Sequence, residues 1–196
     1  MEAYFDNSAT TIVTDSVKDI VVKTMTEDFG NPSAMHMVGV KAEKYIKEAQ
    51  ENIAKILKVD PKEIFFTSGG TESNNMAIIG TAMANKRKGN KIITTSVEHS
   101  SVLATMKYLE EQGFEVIYLP VDRYGVVQME ALEKEMTEDT ILVSTMYVNN
   151  EVGAVMPVEE IAALVHEKSP RALFHVDAIQ AFGKYRIYPK KMGIDL

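Results

Sequence analysis

The chain contains no cysteine. That excludes disulfides, thiolate metal sites and a cysteine nucleophile within these residues. It also lacks any apolar run near the roughly 18 residues that cross a bilayer, so no membrane partner is expected. The opening, Met1-Glu2-Ala3-Tyr4-Phe5-Asp6, has neither a basic flank nor an apolar stretch and does not read as a signal peptide. The cytoplasm is therefore the expected compartment. Basic residues are in deficit as well, with 21 Lys and Arg against 28 Asp and Glu and a net charge of -7. Binding to phosphate backbones needs a concentrated basic surface, so no direct nucleic-acid partner is expected. The one basic cluster, Lys86-Arg87-Lys88, falls at the end of a predicted helix. There cations suit the dipole, and it reads as a solvated helix end.

What is present is ordinary for a globular protein: 196 residues, 45% hydrophobic and 25% charged, enough for one large domain. No internal repeat or low-complexity linker interrupts it. The first fifteen residues are polar and irregular and read as an N-terminal arm. Val17, Ile20, Val21 and Met25 form a short helical stripe over 17–28, and Gly30-Asn31-Pro32-Ser33 breaks the chain. Helical spacing is most regular from Val38 to Leu57. Beyond it, strands are predicted at 64–67, 91–95, 115–119, 141–146 and 172–176. Helices are predicted at 72–84, about 100–112, 129–135 and 158–167. This alternation predicts an α/β fold, a mostly parallel sheet flanked by helices. Ligands of such sheets bind beyond the carboxyl ends of the strands. At the other end Gly193 reads as a helix stop. Ile194-Asp195-Leu196 reads as an opening strand, which suggests that the sequence is truncated there.

Four segments at predicted strand ends carry chemistry. Thr67-Ser68-Gly69-Gly70-Thr71-Glu72-Ser73-Asn74-Asn75 pairs a sharp Gly-Gly turn with a helix start. It fits a phosphate cradle on free amides, or equally a plain turn capped by Thr71. In Val97-Glu98-His99-Ser100-Ser101, His99 is a candidate acid or base, metal ligand or stacking ring, or a helix-start residue with its hydrogen bond satisfied. Val148-Asn149-Asn150-Glu151-Val152-Gly153 offers two amides and a carboxylate to a polar ligand, or forms an Asn-rich turn. In His175-Val176-Asp177-Ala178-Ile179-Gln180, Asp177 is placed to hold a protonated ring nitrogen, as in pyridoxal enzymes. His175 and Asp177 also share a strand face, as a metal pair would, but no third ligand of suitable spacing is evident. Together the four ends present an anion cradle, an aromatic base, an amide pair and an acid. That set suits a ligand with a phosphate, a flat ring and a ring nitrogen.

The order of Tyr4-Phe5-Asp6-Asn7-Ser8-Ala9-Thr10-Thr11, Gly30-Asn31-Pro32-Ser33 with His36, and the four segments above resembles the NifS/IscS branch of cysteine desulfurases. These are class V aminotransferase-like, fold-type I pyridoxal 5'-phosphate (PLP) enzymes, and the resemblance runs from residue 4 to the end. It implies that Gly70 and Thr71 bind the cofactor phosphate and that His99, also the candidate catalytic residue, stacks on the pyridine ring. It further implies that Asp177 pairs with the ring nitrogen, Gln180 bonds the phenolic oxygen and Asn150 lies close to substrate and cofactor. No metal is implied. The implied substrate is L-cysteine, converted to L-alanine with an enzyme persulfide. The implied partners are a second copy of the full-length chain and an iron–sulfur scaffold or tRNA-thiolation acceptor. Ser8 and Ser73 stand where the family often has Ala, both small changes.

The family's Ser-x-His-Lys segment with its cofactor-linking lysine, its nucleophilic cysteine and its substrate-gripping arginine have no counterpart in these residues. The resemblance thus implies an arm at 1–15 and an incomplete PLP-binding large domain at 16–196, inactive alone. Two other readings fit the same motifs. One is a neighbouring class V activity such as selenocysteine lyase or aminotransferase. The other is a half-length, non-catalytic binding partner.

Overall fold

The computed structural model describes residues 3–196. They form two compact units, one ending at Phe65 and the other running Phe66–Leu196.

The first unit is helical. Helix α1 spans Asp15–Thr26, close to its sequence stripe. Helix α2 spans Met37–Leu57, opened by His36, whose Nδ1 accepts from the Gly39 amide at 3.2 Å. Buried Asp28 anchors the turn between them, accepting from the Tyr45 hydroxyl at 2.5 Å and pairing with Lys41. The Lys41 hydrogen bond, then that of Tyr45, holds the Asp28 carboxyl below its ordinary value.

The second unit is the α/β body. Its strands are β1 (Lys91–Thr95), β2 (Glu115–Leu119), β3 (Thr140–Met146) and β4 (Leu173–Asp177), in the order β2-β1-β3-β4. All three pairings are parallel. Parallel strands need crossovers, and helices supply them: α4 (Ser100–Glu111), α5 (Met129–Glu135) and α6 (Val158–Lys168). Helix α3 (Gly70–Asn85) precedes β1 and packs on α4. Strands β1 and β3 are buried at every position, as central strands covered on both faces must be. Ile78, Ala82, Ile92, Val102, Met106, Leu109, Ile141 and Leu142 form the core beneath α3 and α4. Each large aliphatic side chain there stabilises the fold by roughly 1.5–3 kcal/mol.

The predicted strand at 64–67 does not form. Ile64–Thr67 is irregular, with Phe65 and Phe66 exposed at 73% and 53%, and it pairs with none of the four strands. Its β-branched and aromatic residues prefer a pleated, half-buried surface, and that preference has no effect without a neighbouring strand. Ile194–Leu196 fares differently. It forms no strand of its own but exchanges backbone hydrogen bonds with Phe174 and Val176 of β4.

Gly193 ends the short helix α7 (Pro189–Met192) in the left-handed region, at φ 71°. A methyl group there would lie 2.9 Å from the Ala162 side chain on α6. Gly193→Ala therefore meets both backbone strain and a packed neighbour, and should cost about 1–2 kcal/mol in urea unfolding. A variant as stable as the native protein would show that α7 is free to move off α6.

Candidate active site

Helix α3 starts at Gly70, and the amides of its first turn have no partner within the helix. The dipole of a 16-residue helix adds positive potential at the same place. Side chains around the turn satisfy one another. Glu72 accepts from the Ser68 amide and hydroxyl, both at 2.6 Å, and these bonds lower its carboxyl from the ordinary value. Thr67 and Ser73 share a hydrogen bond at 2.7 Å. Thr71 does not cap the helix. The cap position is Gly69, with no side-chain bond, which leaves Thr71 exposed in the first turn. A Cβ at Gly70 would meet only the Ile179 side chain, chiefly its Cδ1 end, which is exposed and free to turn aside.

The ends of β1 and β3 are joined by side chains. Glu98 is buried and its Oε1 accepts from the Thr95 hydroxyl at 2.6 Å and the Met146 amide at 2.9 Å. Burial pushes its carboxyl up to about 7 despite those two bonds, and the charge of Asp177 pushes the same way. Asn149 donates to the Val97 carbonyl at 3.0 Å and accepts from the amides of Glu151 and Val152, so it shapes the turn. Asn150 beside it is half-buried and donates to Glu151. His99 opens α4 and is exposed. Its Nδ1 accepts from the Ser101 amide at 3.2 Å, which places the proton of the neutral ring on Nε2.

At the end of β4, buried Asp177 accepts on Oδ1 from the Ile179 amide at 3.1 Å. On Oδ2 it accepts from Asn74 of α3 at 2.9 Å. Gln180 follows in the same loop and accepts from Lys184 at 3.3 Å. His175 turns to structure instead. It is buried, bonded to Ser144 at 2.9 Å, and burial lowers it to about 4, so it is neutral near pH 7. No group of three or more His, Asp or Glu side chains among the described residues is arranged to hold a metal ion.

The sequence pattern of the aminotransferase class-V family matches residues 3–196. The chain belongs to that family. Among its relatives, the cysteine desulfurase IscS of Clostridium botulinum is 47% identical over 195 residues, covering all of this chain and 49% of its own length. The IscS of Methanosarcina thermophila is 48% identical over 193 residues, covering 98% of this chain and 47% of its own. A solved NifS-like protein superposes with a TM-score of 0.96 at 46% identity, over all of this chain and 54% of its own. SspA, solved in complex with cysteine, gives 0.93 at 40%, over 98% of this chain and 55% of its own. The chain thus spans about half the length of the curated relatives it matches.

The structure brings the α3 turn, His99 and Asp177 into one hydrogen-bonded array through Asn74 and Ser101. Neither connector is assigned a role by sequence reasoning, although both lie in the quoted segments. Their partners are up to 103 residues away in sequence. Polar residues amid the apolar stripes of α3 and α4 were the available signal, and such residues also occur on solvated faces.

Proposed function

We propose that this chain supplies the cofactor-binding part of a PLP-dependent cysteine desulfurase, with 16–196 belonging to its large domain. The observation that carries the reading is buried Asp177, its two oxygens each held by one donor, in one array with an uncapped helix start and an exposed imidazole. The residues present fit the cofactor. The first-turn amides of α3 with Gly70 and Thr71 would take the phosphate, since they have no partner within the helix and no side chain caps them. Asp177 would keep a proton on the ring nitrogen. His99 would stack on the ring face, Gln180 would bond the phenolic oxygen, and Asn150 would lie near the substrate.

When bound, PLP supplies an electron sink for bonds at the substrate's α-carbon. The chain's own part is to bind, orient and hold charge. The net change is transfer of sulfur from L-cysteine to an enzyme thiol, giving L-alanine and a persulfide. IscS relatives at 45–48% identity and the SspA–cysteine structure support L-cysteine as substrate. We further assign a cytoplasmic homodimer of the full-length protein, passing sulfur to an iron–sulfur scaffold or tRNA-thiolation acceptor.

The test is L-alanine release by the full-length protein with PLP, across a panel of L-cysteine, L-selenocysteine and amino acid plus 2-oxo acid pairs. Alanine from cysteine is expected, with none from residues 1–196 alone. Turnover confined to selenocysteine or to transamination would replace the desulfurase reading with a neighbouring class V activity. Absence of turnover on every pair would leave the binding-partner reading in its place.

A further inference from the structure

We propose that Asn74 is a positioning residue that locks the acid, the imidazole and the helix start of this site into one rigid array. The inference rests on the PLP reading and deepens it. Asn74 sits on α3, one turn past the helix start, and is 4% exposed. Its single amide nitrogen donates twice: to Asp177 Oδ2 at 2.9 Å and to Ser101 Oγ at 3.0 Å. Ser101 Oγ, its acceptor side so occupied, lies 2.8 Å from His99 Nδ1 and donates to it. The chain of bonds therefore runs Asp177, Asn74, Ser101, His99, with every proton direction fixed.

The orientation of the amide follows from its neighbours. A carboxylate can only accept, so the nitrogen, not the oxygen, must face Asp177. An aspartate at 74 would set two carboxylates against each other. Serine or alanine would reach at most one of the two acceptors. Asparagine is the side chain of this size with two donors on one atom. Its place on α3 adds the third connection, because the same helix presents the amides of Gly70 and Thr71. Three elements with no backbone pairing at these positions, α3, α4 and the end of β4, are thereby held in register by one buried amide. Asn74 touches no reacting atom in this scheme. It acts by fixing the positions of Asp177 and His99.

The test uses the full-length protein and the variants Asn74→Leu, which keeps the branched shape and raises helix propensity, and Ser101→Ala. Two readouts apply: the ¹⁵N shifts of the His99 ring in cofactor-free protein, and the affinity and visible absorbance of bound PLP across the neutral pH range. In the native protein the His99 ring should show the Nε2–H tautomer alone, and the absorbance should be independent of pH. Asn74→Leu should weaken PLP binding roughly 10- to 100-fold, the loss expected for one hydrogen bond to a charged group. It should also make the absorbance pH-dependent and move the His99 Nδ1 resonance, because the Ser101 hydroxyl loses the amide that aims it, while the Ser101 backbone amide keeps the ring's tautomer. Ser101→Ala should move the Nδ1 resonance further, by removing one of its two donors, and leave the absorbance pH-independent. Native affinity, absorbance and ring shifts in Asn74→Leu would overturn the proposal. If Asn74→Leu fails to fold, a native Nδ1 shift in Ser101→Ala overturns it, and a moved one supports it. Failure of the native protein to bind PLP would refute the functional reading, while the His99 ring shifts would still decide the role of Asn74.

Discussion

Replacing Asp177 with alanine should lower L-alanine production by the full-length protein about a thousandfold. The carboxylate is buried, and the amides of Asn74 and Ile179 hold its two oxygens in place before any ligand arrives. A fixed charge in a site of low polarity needs no reorganisation when it meets a cationic ring nitrogen, which is where such interactions count most. Removing one partner of a buried charge pair costs about 3–5 kcal/mol, hence the expected factor. Alanine also removes one of the two acceptors of the Asn74 amide, leaving one buried N–H unpaired at about 1–3 kcal/mol in stability. Asp177→Asn separates the two effects. It can keep an oxygen for Asn74 and so the fold, yet has no charge for the ring nitrogen. Its melting point should stay near native while its turnover falls nearly as far as that of the alanine variant. Turnover of Asp177→Asn within tenfold of native would sink the assignment of Asp177 to the ring nitrogen.

The sheet was legible because its strands are short apolar runs between amphipathic helices. Strands 91–95 and 115–119 and helix 129–135 have the predicted bounds, β3 starts one residue earlier, and β4 is shifted by one residue at both ends. Burial on both faces leaves such a signature in the sequence itself. The segment Ile64-Phe65-Phe66-Thr67 carries the same signature but lies outside the sheet, since composition records a preference for a partner and not the partner. Local chemistry read less well than periodicity. Thr71 looks like a cap, yet α3 begins two residues earlier than a Thr71 cap requires, and Gly69 takes that place. The array around Asp177 left no periodic trace, because Asn74 and Asp177 lie 103 residues apart in sequence.

Glu98 and His175 should give the fold opposing pH dependences that nearly cancel in the native protein. Burial raises the Glu98 carboxyl from 4.5 to about 7, and the bonds from Thr95 and Met146 only partly oppose it. The folded state therefore holds that proton more tightly than the unfolded chain. Its contribution is fully present below pH 4.5 and is lost as pH rises through about 7. At about 1.4 kcal/mol per pH unit, the loss is about 3 kcal/mol. Burial lowers His175 from 6.5 to about 4, against the pull of Asp177. Here the unfolded chain holds the proton more tightly. The contribution is present above pH 6.5 and is lost as pH falls through about 4, again about 3 kcal/mol. Between pH 4.5 and 6.5 the two slopes have opposite sign and similar size. Asp28, Glu72 and Glu133, all held below their ordinary values of 3.8 and 4.5, lose their contributions only below that window. Urea unfolding should therefore give a nearly flat native profile there. Glu98→Gln should uncover the His175 slope, with stability falling as pH drops from 6.5 to 4.5. His175→Asn should uncover the Glu98 slope, with stability falling as pH rises from 4.5 to 7. If both variants stay as flat as the native protein, neither group is buried in the way described.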